Sequence, residues 1–160
     1  MGYLISLSTA IKLVSDFKKT GKKVVFTHGA FDLFHAGHSF FLIKSKSLAD
    51  ILIVGLEPDE NIKRYKEVSK PIIGGVHRAE IVLNHTAVDF VFIIPKFREV
   101  NEECYVGLYK KLKPDIVTIG RNFATKSRRD VKPTSPLIRI IKPEVTSTTK
   151  IISLIISSQK

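Results

Sequence analysis

Apolar positions along the chain follow two rhythms that alternate with each other. Unbroken runs occur at Val24-Val25-Phe26, Ile51-Leu52-Ile53-Val54-Gly55, Phe90-Val91-Phe92-Ile93-Ile94, Ile116-Val117-Thr118-Ile119-Gly120 and Leu137-Ile138-Arg139-Ile140-Ile141. Short runs without polar alternation mark strands covered on both faces, so five strands are predicted near 24–28, 51–55, 90–94, 116–120 and 137–141. Between them the apolar residues return every three or four positions. Leu7, Ile11, Leu13, Val14 and Phe17 line a helix over 6–20, with Ser8 or Thr9 as its cap and Gly21 at its end. A second helix follows His35 to about Leu48, with Phe41, Leu42 and Leu48 inward and Lys44 and Lys46 outward. Glu57-Pro58-Asp59-Glu60 reads as a helix start with proline in its first turn. Further helices are predicted at 77–85, at 99–112 through Val106, Leu108, Tyr109 and Leu112, and from Ser147 to about Ser158. Strands alternating with helices at this spacing imply a parallel sheet with right-handed crossovers, in three α/β/α layers. No repeat or internal boundary appears, so residues 1–160 read as a single domain.

Composition narrows the classes without choosing one. Of 160 residues, 44% are hydrophobic and 26% charged, enough for a proper core and ordinary for a globular chain. No apolar run approaches the length of a membrane span. Met1-Gly2-Tyr3-Leu4-Ile5 lacks the basic start and small-residue cleavage pattern of a secretory leader. Cys104 is the sole cysteine, which excludes an internal disulfide and suits a reducing cytoplasm. The net charge of +11, from 26 Lys and Arg against 15 Asp and Glu, attracts phosphates. That charge is spread along the chain, which favours small phosphorylated ligands over nucleic acid. Aromatic residues are not interleaved with basic ones as they are in single-strand binders. The longest irregular stretch, 121–136, carries Arg121, Lys126, Arg128, Arg129 and Lys132 against Asp130. It is a site for an acceptor phosphate or a closing lid, or else a solvated loop.

The chemistry concentrates in Phe26-Thr27-His28-Gly29-Ala30-Phe31-Asp32-Leu33-Phe34-His35-Ala36-Gly37-His38. A strand, a glycine turn and a helix start form a phosphate site in open α/β proteins. His35 and His38, three apart in a first helical turn, share a face and suit one anionic group. Half of a zinc site is the other reading of such a pair. The chain carries no CxxC, no HExxH and no acidic cluster beside it, which favours phosphate. Ser147-Thr148-Thr149, ahead of an apolar helical run, is a second phosphate-ready helix start as well as an N-cap.

The opening stretch resembles the GxFDxxHxGH signature of the cytidylyltransferase-like nucleotidyltransferases. The likeness extends through Gly21-Lys22-Lys23-Val24-Val25-Phe26-Thr27, Asp50 to Gly55, Lys70-Pro71-Ile72, Arg78, Val88-Asp89-Phe90-Val91, Lys113 to Val117 and Ser147 to Ile152. Within that family it is most similar to heptose-phosphate adenylyltransferases, and next to glycerol-3-phosphate cytidylyltransferase. The resemblance implies a single Rossmann-like α/β/α domain with a five-stranded parallel sheet. It also implies a transferase in which an acceptor phosphate attacks the α-phosphorus of ATP or CTP, with Mg2+ accompanying the nucleoside triphosphate. Carried over residue by residue, His35, His38 and Lys70 are its catalytic positions. Thr27, Gly29, Ala30, Phe31, Gly37, Arg78, Gly120, Ser147, Thr148 and Thr149 are its nucleotide positions. Asp32, Asp59 and Arg121 are its substrate positions, with no protein metal ligand. Taken as bare residues, Asp32 also reads as a turn cap or brace, Asp59 as a helix-start acid, Lys70 as solvated and Arg78 as a partner of Glu80 or Asp89. Relatives of this kind are often homodimers.

Two departures bear on the substrates. Where the adenylyltransferases carry Lys-Gly-Gly-Asp-Tyr after the fourth strand, this chain has Ile119-Gly120-Arg121-Asn122-Phe123. Where cytidylyltransferases carry Arg-Thr-x-Gly before the Ser/Thr turn, it has Lys142-Pro143-Glu144-Val145. The second absence, together with the N-terminal helix, favours ATP. The first motivates an alternative, a nucleotide-binding module without turnover.

Overall fold

The computed structural model of the chain describes residues 2–65, 70–120, 137–141 and 147–158. Among these, six strands form one parallel sheet: β1 (Tyr3–Leu4), β2 (Val24–Gly29), β3 (Ile51–Leu56), β4 (Phe90–Ile93), β5 (Ile116–Gly120) and β6 (Leu137–Ile141), in the order β1-β4-β3-β2-β5-β6. All five expected strands are present and parallel. The addition is β1, an exposed two-residue edge strand whose Tyr3 stands opposite Phe90. Two residues carry no periodicity, so nothing in the pattern announces it.

The helices are α1 (Leu7–Lys19), α2 (Ala36–Lys46), α3 (Asp59–Tyr65), α4 (Gly75–Leu83), α5 (Glu102–Leu112) and α6 (Thr148–Ser157). Period-two alternation sends successive strand residues to opposite layers. Val24, Phe26, Ile53, Phe92 and Val117 join Val14 of α1 and Leu108, Tyr109 and Leu112 of α5 in one core. Val25, Leu52, Val54 and Val91 join Phe41 and Leu42 of α2 and Ala79 and Val82 of α4 in the other. Side chains of this size contribute about 1.5–3 kcal/mol each when fully buried. Gly55 is fixed by this packing, since a Cβ there would lie 2.9 Å from the Phe26 ring and 3.1 Å from Ile94.

Local details depart from the sequence reading. Ser6, not Ser8 or Thr9, caps α1 by accepting the Thr9 N–H at 3.0 Å. Gly21 follows the helix at φ 75°, the left-handed position that ends it. Tyr105 faces inward on α5, where Val106 was expected. Leu48 is exposed because α2 stops at Lys46. Cys104 is half-buried with its thiol against the Glu99 carbonyl. Among the described residues no helix is long and apolar enough to cross a membrane.

Candidate active site

Strand β2 pairs with β3 on one side and β5 on the other. The chain builds outward through β3 and β4, then returns to start the opposite half with β5. At such a reversal the connections leaving neighbouring strand ends diverge and open a crevice at the carboxyl edge. Gly29 and Gly120, the last residues of β2 and β5, flank that crevice.

The loop leaving β2 is unusual. Phe31 and Leu33 both have left-handed backbones, φ 51° and 45°, which cost non-glycine residues free energy and persist only where surroundings enforce them. Asp32 lies between them and is 4% exposed. Its Oδ1 accepts the N–H groups of Leu33 at 3.1 Å and Ile73 at 2.9 Å, and its Oδ2 accepts that of Ile72 at 2.8 Å. The carboxylate is thus a brace whose oxygens face protein N–H groups. Phe31 packs its ring in the α2/α4 core and against His38, at 5.4 Å between centroids.

Beyond the loop, His35 is the N-cap of α2, and its Nδ1 accepts the Gly37 N–H at 3.0 Å. A nitrogen that accepts carries no proton, so the neutral ring bears its hydrogen on Nε2 as a donor. Burial disfavours the imidazolium and lowers the His35 pKa from 6.5, which keeps that neutral form. The ring stacks on His38 with centroids 4.0 Å apart and planes at 22°. Two imidazoles therefore share one small area at the positive end of a helix dipole, an arrangement suited to an oligophosphate.

The opposite wall comes from α6. Ser147 caps it by accepting the Lys150 N–H at 3.3 Å, and the Thr148 hydroxyl donates to the Asp32 carbonyl at 3.2 Å. The two helix starts singled out in the sequence thus meet at the Asp32 loop. Thr149 stands exposed beside them.

Several other expected site residues make contacts within the protein. Thr27 is fully buried and its hydroxyl donates to the Thr118 carbonyl at 3.0 Å, so its side chain ties β2 to β5. Arg78 has no exposed surface. Its guanidinium donates to the carbonyls of Ala30, Ile73 (2.9 Å) and Glu57 (2.8 Å), and to Asp59 Oδ1 at 2.6 Å. Its ion-pair partner is therefore Asp59, neither Glu80 nor Asp89. Asp89 instead pairs with Lys46. Lys70 is half-buried, two residues before Ile72. Arg121, Phe123 and the rest of the basic stretch 121–136 lie outside the described residues, as do residues 142–146.

A buried polar cluster on the α5 side was missed. His28 Nε2 is 2.7 Å from the Tyr109 hydroxyl, its ring stacks on Tyr105 at 4.5 Å, and its Nδ1 is 3.6 Å from Glu57 Oε1. Burial alone would raise the pKa of Glu57, but the polar groups of His28, Tyr105 and Asn61 and the charge on His28 hold it below the usual glutamate value. The signal was available. His28 shares the strand face of Phe26, and Tyr105 and Tyr109 share a helix face at i, i+4. His85, just after α4, contacts the Ser39 hydroxyl at 2.9 Å with Nε2. Among the described residues no group of three His, Cys, Asp or Glu side chains gathers to hold a metal ion.

Comparison with known proteins places this geometry. A family model described as cytidylyltransferase-like matches residues 26–159. The bifunctional protein HldE of Helicobacter acinonychis (strain Sheeba) is 40% identical over 115 residues, 72% of this chain and 24% of that protein. HldE of a Nitratiruptor species is 40% identical over 117 residues, again 72% of this chain and 24% of the relative. The chain thus matches about a quarter of the length of these relatives. Among solved structures, a lipopolysaccharide core biosynthesis protein from Thermoplasma volcanium GSS1 is similar with TM-score 0.61 and 22% identity, over 79% of this chain and all of that one. Pantoate-beta-alanine ligase from Francisella tularensis is similar with TM-score 0.65 and 14% identity, over 89% of this chain and 67% of that one.

Proposed function

Because the chain belongs to the cytidylyltransferase-like family of nucleotidyltransferases, we propose that it transfers AMP from ATP to a phosphorylated sugar or polyol and releases pyrophosphate. The observation that carries this reading is the His35–His38 pair at the start of α2, stacked at 4.0 Å and set at the sheet's switch point. An oxygen of the acceptor phosphate attacks the α-phosphorus, the bond to the bridging oxygen breaks, and pyrophosphate takes the electron pair. No protein nucleophile is required. The chain holds the triphosphate in line and donates hydrogen bonds where negative charge grows. His35 does so through Nε2–H, fixed in that tautomer by Gly37, and His38 stands beside it. The start of α6, with Ser147 and Thr148, receives the far phosphates, and Lys70 supplies a cation.

Asp32 and Asp59 are committed to internal partners, so a Mg2+ ion would arrive with the triphosphate and would supply neutralisation of charge on the leaving group. ATP is favoured over CTP because Lys142-Pro143-Glu144-Val145 replaces the cytidine-type Arg-Thr-x-Gly pattern.

The test is a screen of sugar and polyol phosphates with ATP and CTP, scored by pyrophosphate release. Turnover with ATP is expected, and His35→Ala and His38→Ala should each reduce it by at least about a hundredfold with the fold intact. Persistent turnover in both variants would overturn the mechanism, and a preference for CTP would overturn the choice of base. Nucleotide binding with no turnover across the panel would favour the non-catalytic module that Ile119 and Asn122, in place of the lysine and the aspartate, motivate.

A further inference from the structure

We propose that Asp32, Arg78 and Asp59 form a clamp that fixes the Lys70 segment against the histidine loop, acting as positioning residues and touching neither nucleotide nor acceptor. The inference rests on the proposed function for its catalytic readout, while its structural part stands on the hydrogen bonds alone. Three stretches of chain leave the carboxyl edge side by side: the loop after β2, the turn after β3, and the lead into α4. The clamp ties all three. From the first, Asp32 takes the N–H groups of Ile72 (2.8 Å) and Ile73 (2.9 Å). From the second, Asp59 takes the N–H of Gly75 at 3.3 Å. From α4, Arg78 reaches back to the Ala30, Glu57 and Ile73 carbonyls and to Asp59. Residues 72, 73 and 75 are each held by one of these side chains, immediately downstream of Lys70.

The bonding inventory argues against direct ligand contact. Every nitrogen of the Arg78 guanidinium donates to protein, and the residue is fully buried. Both oxygens of Asp32 accept backbone N–H groups, and the residue is 4% exposed. Gly75 completes the fit, since a Cβ there would lie 3.1 Å from Asp59 Oδ1 and 3.4 Å from Arg78 Nη2. What the clamp delivers is a fixed relation between the segment bearing Lys70 and the loop bearing His35 and His38. A displacement of about 1 Å between catalytic groups is worth up to a hundredfold in rate.

Asp32→Asn tests this, because an amide keeps the volume but turns an NH2 toward one of the N–H groups that the carboxylate accepts. Amide exchange at Ile72 and Ile73 should accelerate by more than about tenfold, with the amides of β2 and β3 unchanged. The kcat should fall by about ten- to a hundredfold, with KM for ATP held within about threefold. In a Lys70→Ala background the same substitution should add less than about threefold, since its effect passes through the position of Lys70. Unchanged exchange at Ile72 and Ile73 would overturn the clamp. Full multiplication of the two effects, or a large rise in KM, would overturn positioning in favour of ligand contact. If Lys70→Ala alone keeps full activity, the role given to Lys70 fails, and the clamp is judged by exchange alone. Should Asp32→Asn not fold, Asp59→Asn, whose side chain is 34% exposed, must show faster Gly75 exchange and a smaller loss of kcat, or the proposal falls.

Discussion

Single residues in this protein divide by how far away their partners lie. His35 and His38 were legible because the spacing that pairs them is local to one helical turn. Asp32, Asp59 and Arg78 carry both ligand and structural readings in the sequence, and their partners were not legible because most of the atoms that occupy them come from chain 16 to 48 residues distant. A buried guanidinium and an exposed one look alike in a sequence. Titration follows from the same placements. His35 and His85 are both lowered from 6.5 by burial. Below about pH 6.5 the unfolded chain therefore binds more protons than the folded one, and stability falls as the pH is lowered. Glu57, held below 4.5, adds a term of the same sign further down, lost as pH falls through its folded value. Denaturant midpoints should thus decline from pH 8 to pH 5, and a His35→Asn, His85→Asn variant should show a flatter decline. A rise in stability on acidification would contradict the assignment.

At the level of elements, every long strand and helix was predicted within a few residues, because continuous apolar runs and three-to-four spacing survive without tertiary context. Caps and very short pieces were not. Ser6 and β1 depend on where neighbouring elements pack, which the local pattern does not record. The tightest requirement at this level is where β3 crosses β2 and faces the loop after β4. Gly55→Ala would press a methyl into the Phe26 ring at 2.9 Å, and overpacking of this kind costs about 1–3 kcal/mol. Chemical denaturation should register that loss while the parallel register of the sheet persists. The comparable change at Gly74, where a Cβ would meet nothing within 4 Å, should have a smaller effect.

Taken whole, the chain carries a net charge of +11. Its field should draw polyanionic nucleotides and weaken as salt screens it. Raising ionic strength from about 0.01 to about 1 M shortens the Debye length from about 30 to about 3 Å, so KM for the triphosphate should rise several-fold. A KM indifferent to salt would confine binding to short-range contacts. The reaction class was legible in the chain because its motif lies in one contiguous run. The base and acceptor were not, because the chain departs from the known patterns at 119–123 and 142–145.

The bond from Thr148 to Asp32 spans 116 positions. A ribosome delivering this chain presents the histidine turn well before the hydroxyl that leans on it. Through that interval the loop must hold its left-handed residues without that support. Folding and competence are then separate events in time: the parallel sheet is free to close in stages, while the crevice acquires its second wall only when α6 arrives.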